Sequence, residues 1–248
     1  MRRYFSIFVV ALVAMFVAMS CQLDGGTEPN PDRANRLLWG RVNDALYQHH
    51  DHFLTVAQLN DTLLGKEYAR SPYQTCDITE KEGVYTIFYS PYNRTYRIKT
   101  DNKRLDEGGV WSIYVRYGSY GSFVELGKAE GMVGESSKFN LSINTAELGA
   151  GYGYAYCYSA DSEVEYEYDD IAESLTVRYN TVKGILADEQ LPASGDYIVE
   201  FEVVEPLLFR ATIESGKVDI LYRDLVDNTS RSVTVEIVNK ITTFAPKN

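Results

Sequence analysis

The sequence predicts a mainly β protein: an antiparallel meander of about a dozen strands, preceded by one amphipathic helix. Three observations carry this expectation. Apolar residues recur at helical spacing in one early stretch, they switch to strict alternation beyond about residue 76, and the alternating runs are joined by segments mostly too short for parallel crossovers.

The helix comes first. Asn30-Pro31-Asp32 supplies an N-cap side chain, a proline suited to the first helical position, and an acid near the positive end of the helix dipole. Leu38, Val42, Ala45, His49, His52, Val56 and Leu59 then follow at alternating steps of four and three, and Leu46 and Phe53 widen the stripe. Gly65 is placed to end it.

In the β region, "KFNLSIN" sets Phe139, Leu141 and Ile143 on one side and Asn140, Ser142 and Asn144 on the other. "SLTVRYN" does the same with Leu175, Val177 and Tyr179. "YIVEFEV" aligns Tyr197, Val199, Phe201 and Val203, and "SVTVEIV" aligns Val233, Val235 and Ile237. Further runs surround Tyr85, Tyr96, Trp111, Val124, Phe209 and Ile220, separated by the turn signals "SPYN", "DEGG", "GSYG", "ASGD" and "ESGK". One face of the sheet is apolar and the other polar, so a helix laid against the apolar face would bury both stripes. Periodicity leaves two arrangements open, a curved or barrel-like sheet and a two-sheet sandwich.

The most unusual internal stretch is "YGYAYCYS", in which Tyr152, Tyr154, Tyr156 and Tyr158 share one face. Read with "EVEYEYD", which adds Tyr166 and Tyr168, it predicts a tyrosine-bearing hairpin. A register summing to 321 would pair Tyr158 with Glu163, and one summing to 322 would pair it with Val164. The six tyrosines are candidates for ligand contact, because a phenol ring buries while its hydroxyl stays wet. Packed core is the competing use of the same residues.

All the histidines fall in "QHHDH": His49, His50 and His52. On a helix, His49 and His52 share a face and make a weak metal candidate, short of the three or four ligands that zinc takes. The "HExxH" arrangement is absent, since His50 and Phe53 occupy the positions that its glutamate and second histidine would need. His49 also falls inside the apolar stripe, where a hydrogen-bonded core histidine is the ordinary outcome. A second weak metal candidate is the acidic cluster of Glu167, Asp169, Asp170 and Glu173, in which Asp169 and Asp170 are adjacent; Asp101, Asp106 and Glu107 form another. No nucleophile elbow or phosphate loop is present, and the glycines of "GAGYGY" open an alternating strand rather than a helix. No cofactor and no catalytic residue is assigned.

The first residues bear on location. Arg2 and Arg3 precede an apolar run from Tyr4 to Met19, which closes on "AMSC" at Cys21. This is the layout of a secretory signal. The small residue before a cysteine resembles the lipobox of bacterial lipoproteins, although Ala18 stands where leucine is common. The resemblance covers this segment alone. It implies a signal peptide over residues 1–20, lipidation (palmitate among the acyl chains) of Cys21, a tether over 21–29 and a single folded domain over 30–248. It also implies attachment to the outer membrane through the lipid. Asp24 partly resembles the acidic export signal of Bacteroidota lipoproteins, and "DTL" at Asp61 resembles their short O-glycosylation motif. The leaflet stays open. With Cys21 lipidated, Cys76 and Cys157 are left to form a disulfide or to remain thiols.

Loss of Arg2 and Arg3 from the 24 basic residues would leave 22 against 35 acidic ones, a net charge of −13. Such a surface repels nucleic acid and anionic lipid headgroups. With the lipobox resemblance, the sequence points to a lipid-anchored envelope binding or accessory protein without a catalytic motif, its candidate partners being a glycan, a lipid or a protein. A structural component of an envelope assembly is the second class, and a carboxylate-based envelope hydrolase the third.

Overall fold

A computed structural model describes residues 31–66, 76–89, 94–118, 121–145, 148, 157–169, 171–187 and 197–246. The chain divides into two units between Arg36 and Leu37. The described part of the first is the opening of helix α1 (Pro31–Leu63). The second holds the rest of that helix and the whole sheet.

α1 ends as Gly65 implied. Gly65 has φ +68°, its N–H bonds the Thr62 carbonyl at 3.1 Å, and the Lys66 N–H bonds the Asp61 carbonyl at 2.9 Å. The two bonds satisfy carbonyls that the last turn would otherwise leave open.

Twelve strands follow: β1 (Cys76–Lys81), β2 (Val84–Tyr89), β3 (Arg94–Lys99), β4 (Val110–Tyr117), β5 (Val124–Met132) and β6 (Glu135–Asn144). Then come β7 (Cys157–Asp169), β8 (Ser174–Ala187), β9 (Tyr197–Phe209), β10 (Ile213–Asp224), β11 (Thr229–Val238) and β12 (Ile241–Pro246). They form one antiparallel sheet in simple sequence order from β1 to β12. β1 and β12 each have a single neighbour, so the sheet is not closed. A single continuous sheet also answers the two-sheet alternative.

The sheet curls around α1. Within residues 49–53 the helix meets Tyr96 on β3, Phe139 on β6, Ser162 on β7, Tyr179 on β8 and Phe209 on β9. In a flat sheet β3 and β9 would stand about 29 Å apart at the usual strand spacing, whereas a helix is roughly 10–12 Å across. Curvature alone brings both to one turn of helix. The stripe residues Leu38, Val42, Ala45, Phe53, Val56 and Leu59 are buried, and so are Thr55, Asn60 and Asp61 on the other faces. The helix is gripped on several sides and keeps one partly open face, along which Asp44 is exposed and Gln48, Asp51, Leu54 and Gln58 are partly exposed.

Two sequence expectations are corrected here. The tyrosine hairpin does not form between Tyr158 and Glu163, because β7 runs unbroken through "CYSADSEVEYEYD". Neither predicted register exists: Tyr158 lies opposite Leu186 and Glu163 opposite Thr181, both on β8. Asp161-Ser162 resembles a turn, but Tyr158, Ala160, Ser162, Val164 and Tyr166 all point inward and are buried. Ala160 and Ser162 are small where the helix passes. Likewise "ESGK" is no turn but an irregular stretch inside β10, with register shifts between Ile213 and Val218. A Cβ on Gly216 would lie 2.5 Å from Leu207 Cδ2 and 2.8 Å from the Pro206 carbonyl. The glycine is there to let β9 approach.

Candidate functional site

Polar chemistry concentrates in two places, one sealed and one open. The sealed one is the seam between α1 and the sheet. Each histidine bonds a hydroxyl from a different strand: His49 Nε2 to Ser162 Oγ at 2.8 Å, His50 Nδ1 to the Tyr179 hydroxyl at 3.1 Å, and His52 Nδ1 to the Tyr96 hydroxyl at 2.9 Å. Ser162 has one proton and gives it to the Leu141 carbonyl at 3.2 Å. It therefore accepts from His49, which fixes the Nε2–H tautomer.

Burial pushes the His49 imidazole down to about 4, with Asp161 pulling weakly the other way, and pushes His50 down to about 3. His52 lies well below the usual range for the same reason, helped by the Arg94 charge. All three are neutral at physiological pH. Between them on the helix, Asp51 faces the Arg94 guanidinium at 3.8 Å. Burial raises its carboxyl to about 6 despite that cation. Arg94 also stacks over the Tyr117 ring at 5.2 Å. The Tyr96 phenol is pushed up to about 12 by burial, and Tyr158 and Tyr179 lie well above the usual range. They act here as neutral hydrogen-bonding groups.

Two turns further along, the Tyr166 hydroxyl donates to Asp61 Oδ1 at 2.9 Å and accepts from Asn60 Nδ2 at 2.8 Å. Asn60 Nδ2 also donates to the Ser136 carbonyl at 2.8 Å. Helix and wall are thus joined by hydrogen bonds along the whole buried length of α1.

The open place is on the outer face. A trough of about 470 Å³ crosses β7 to β11. Its floor includes Gly184, where a Cβ would lie 2.3 Å from the Phe201 ring. Ile185 and Leu221 give it an apolar strip. Asp161, Glu200, Glu202 and Asp219 line it against the single cation Lys183. Lys183 pairs with Glu202 at 2.9 Å and Arg223 with Glu200 at 2.8 Å, while Thr234 donates to Asp219 at 2.6 Å. A second depression of about 300 Å³ on β4 to β7 shares Ser159 and Asp161 with the first. The two depressions adjoin at these residues on β7.

The residues singled out from sequence are distributed as follows. Tyr158 and Tyr166 face the helix, 1% and 3% exposed, and Tyr168 is partly buried against the core. Tyr152, Tyr154 and Tyr156 lie outside the described residues. His49 and His52 aim ring nitrogens at different strands, β7 and β3. Asp169 Oδ1 accepts the N–H groups of Ile171 and Ala172, both at 2.9 Å, and so caps the β7–β8 turn. Asp170 and Cys21 fall outside the described residues. No group of three or more His, Cys, Asp or Glu is placed to hold a metal among the described residues. Cys157 is buried at the start of β7, and five strands separate it in sheet order from β1, which Cys76 opens; the Cys76 side chain lies outside the described residues. No described helix is long and apolar enough to cross a membrane.

Sequence reasoning missed Asp51, Arg94, Tyr96 and Tyr179 as one cluster, and it missed the trough. Both depend on strand pairing, which leaves no local motif. No family model, no curated protein and no solved structure matches the chain.

Proposed function

We propose that this chain is a lipid-anchored binding protein of the bacterial cell envelope, tethered to the outer membrane through Cys21, whose working surface is the outer face of the sheet. The supporting observation is that α1 occupies the inside of the curved sheet, while the outer trough offers an accessible depression of ligand size. Four carboxylates against Lys183 and the Arg223 that pairs with Glu200 disfavour anionic partners, nucleic acid included. A neutral or cationic segment, laid across the strands on Ile185 and Leu221, suits the lining.

Thermal melting of the mature chain tests this against neutral oligosaccharides, a lysine-rich decapeptide and an acidic control peptide. Saturation at 100 times the dissociation constant adds about 2.7 kcal/mol. The expected outcome is a shift from a neutral or basic probe that is lost in Ile185→Glu, whose unliganded melt is unchanged. A shift given only by the acidic peptide, or one indifferent to Ile185→Glu, would refute it.

The open edges of the sheet favour a second reading, a component of an envelope assembly. Val238 and Ile241 are 53% and 68% exposed at the β11–β12 turn, and an unpaired edge strand can accept a strand from another chain. Concentration-dependent association of the mature chain, abolished by Thr243→Pro on β12, would support it.

A further inference from the structure

We infer that the end of the sheet carrying the β10–β11 turn rests against the bilayer, through Leu37, Leu225 and Val226; this assignment depends on the anchoring of Cys21. These three side chains are 63%, 53% and 66% exposed. They converge at one end of the second unit. Arg41 Nη1 reaches the Tyr197 hydroxyl at 3.5 Å and its guanidinium lies 5.9 Å from that ring. Tyr197 is the strand partner of Asp224, the last residue of β10. Leu37 shares the helix face of Arg41 one turn earlier, which sets it at the level of the turn that follows Asp224.

That turn is built to hold its shape. Asp224 Oδ1 accepts the N–H groups of Val226 at 2.9 Å and Asp227 at 3.0 Å, leaving Leu225 and Val226 outward. Behind them Tyr197 and Tyr222 stack at 5.6 Å, partly buried. Apolar tips backed by tyrosines and an arginine suit the boundary between acyl chains and water.

Apolar tips also mark the opposite end, at Val133 and Ile171. The tether chooses between them. α1 begins at Pro31, so ten residues of sequence separate Cys21 from the helix start, a reach of at most about 35 Å when extended. The helix runs from the Leu225 end towards the Ile171 end, because Arg41 meets the start of β9 while Asn60 meets Ser136 and Tyr166. Leu37, the first residue of the second unit, therefore enters it at the Leu225 end, and the tethered segment precedes it in sequence. The acidic chain makes no electrostatic demand on the lipid, so neutral headgroups suffice.

The test places the full mature chain on phosphatidylcholine liposomes with brominated acyl chains, which quench nearby indoles. Val226→Trp is compared with Ile171→Trp, with emission of the parent chain subtracted. Acylation of Cys21 is read separately by mass. If it is absent, a lipid coupled chemically to the N-terminal residue supplies the tether, so the docking geometry is tested in either case. The added indole at 226 is expected to lose most of its emission and the one at 171 to keep it. Equal quenching at both positions, or none at 226, would overturn the assignment.

Discussion

His49 Nε2 and Ser162 Oγ lie 2.8 Å apart although 113 residues separate them. Ser162 in turn bonds the Leu141 carbonyl, so one hydroxyl ties α1 to β7 and β7 to β6. Every partner is buried. Changing either residue strands the other, at a cost of about 1–3 kcal/mol for each single change. A double-mutant cycle of His49→Phe and Ser162→Ala, followed by urea unfolding, should give a coupling of about 1 kcal/mol. Strict additivity of the two changes would show that the bond contributes nothing.

Acid should loosen the seam. The folded pKa values of His49 and His50, about 4 and about 3, lie below the unfolded value of 6.5. The unfolded state therefore binds these protons first, and the stability they contribute is complete above pH 6.5 and lost as pH falls towards those values. Each imidazole is worth on the order of 3–5 kcal/mol at the limit. Asp51 has the opposite sign, because its folded pKa of about 6 exceeds the unfolded 3.8. Its protonation favours the folded state and offsets roughly one imidazole between pH 6 and 4. His52 is lowered in the same way, so the urea midpoint should fall between pH 6.5 and 4, less steeply than the three buried histidines alone would give. Asp51→Asn should steepen that fall, and a midpoint that is flat in this window would contradict the seam as described.

Tyr166→Phe removes a hydroxyl that serves both Asn60 and Asp61, leaving a buried carboxylate one donor short. Lys66 still pairs with Asp61 at 3.3 Å, which limits the damage. The loss should be about 1–3 kcal/mol, read as a melting temperature lower by roughly 3–10 °C for a chain of this size.

Two neighbouring glycines should respond differently to alanine. A Cβ on Gly131 would sit 1.9 Å from the Leu105 carbonyl oxygen, a backbone atom of the 3-10 turn Leu105–Glu107. One on Gly134 would meet nothing within 4 Å and would bear only the strain of φ +86°. Gly131→Ala should cost more than about 3 kcal/mol and Gly134→Ala about 1 kcal/mol. Equal melting temperatures for the two variants would mean that the 3-10 turn does not pack on β5 in this way.

The helix could be read from sequence because its stripe has a 3.6-residue period whatever it packs against. The strands could be read because Phe139, Leu141 and Ile143, or Val233, Val235 and Ile237, alternate strictly. Short connections then dictated a meander. What escaped was tertiary in origin. Ala160 and Ser162 look like turn residues, yet they are small because α1 passes over them. Gly216 looks like a turn, yet it admits β9. The cluster of Asp51, Arg94, Tyr96 and Tyr179 gathers residues from α1, β3 and β8, and no local pattern can state which hydroxyl a buried histidine will meet.

The central claim is that α1 fills the inside of the sheet and is held there, which is why the binding surface must be outside. Amide hydrogen exchange of the mature chain at neutral pH measures this directly. The amides of residues 49–57 should exchange among the slowest in the chain, on a par with β7 and β8. Exchange of those amides at the rate of an exposed helix, while the strands stay protected, would mean that α1 leaves the sheet readily and that the inside, not the outer trough, is open to a ligand.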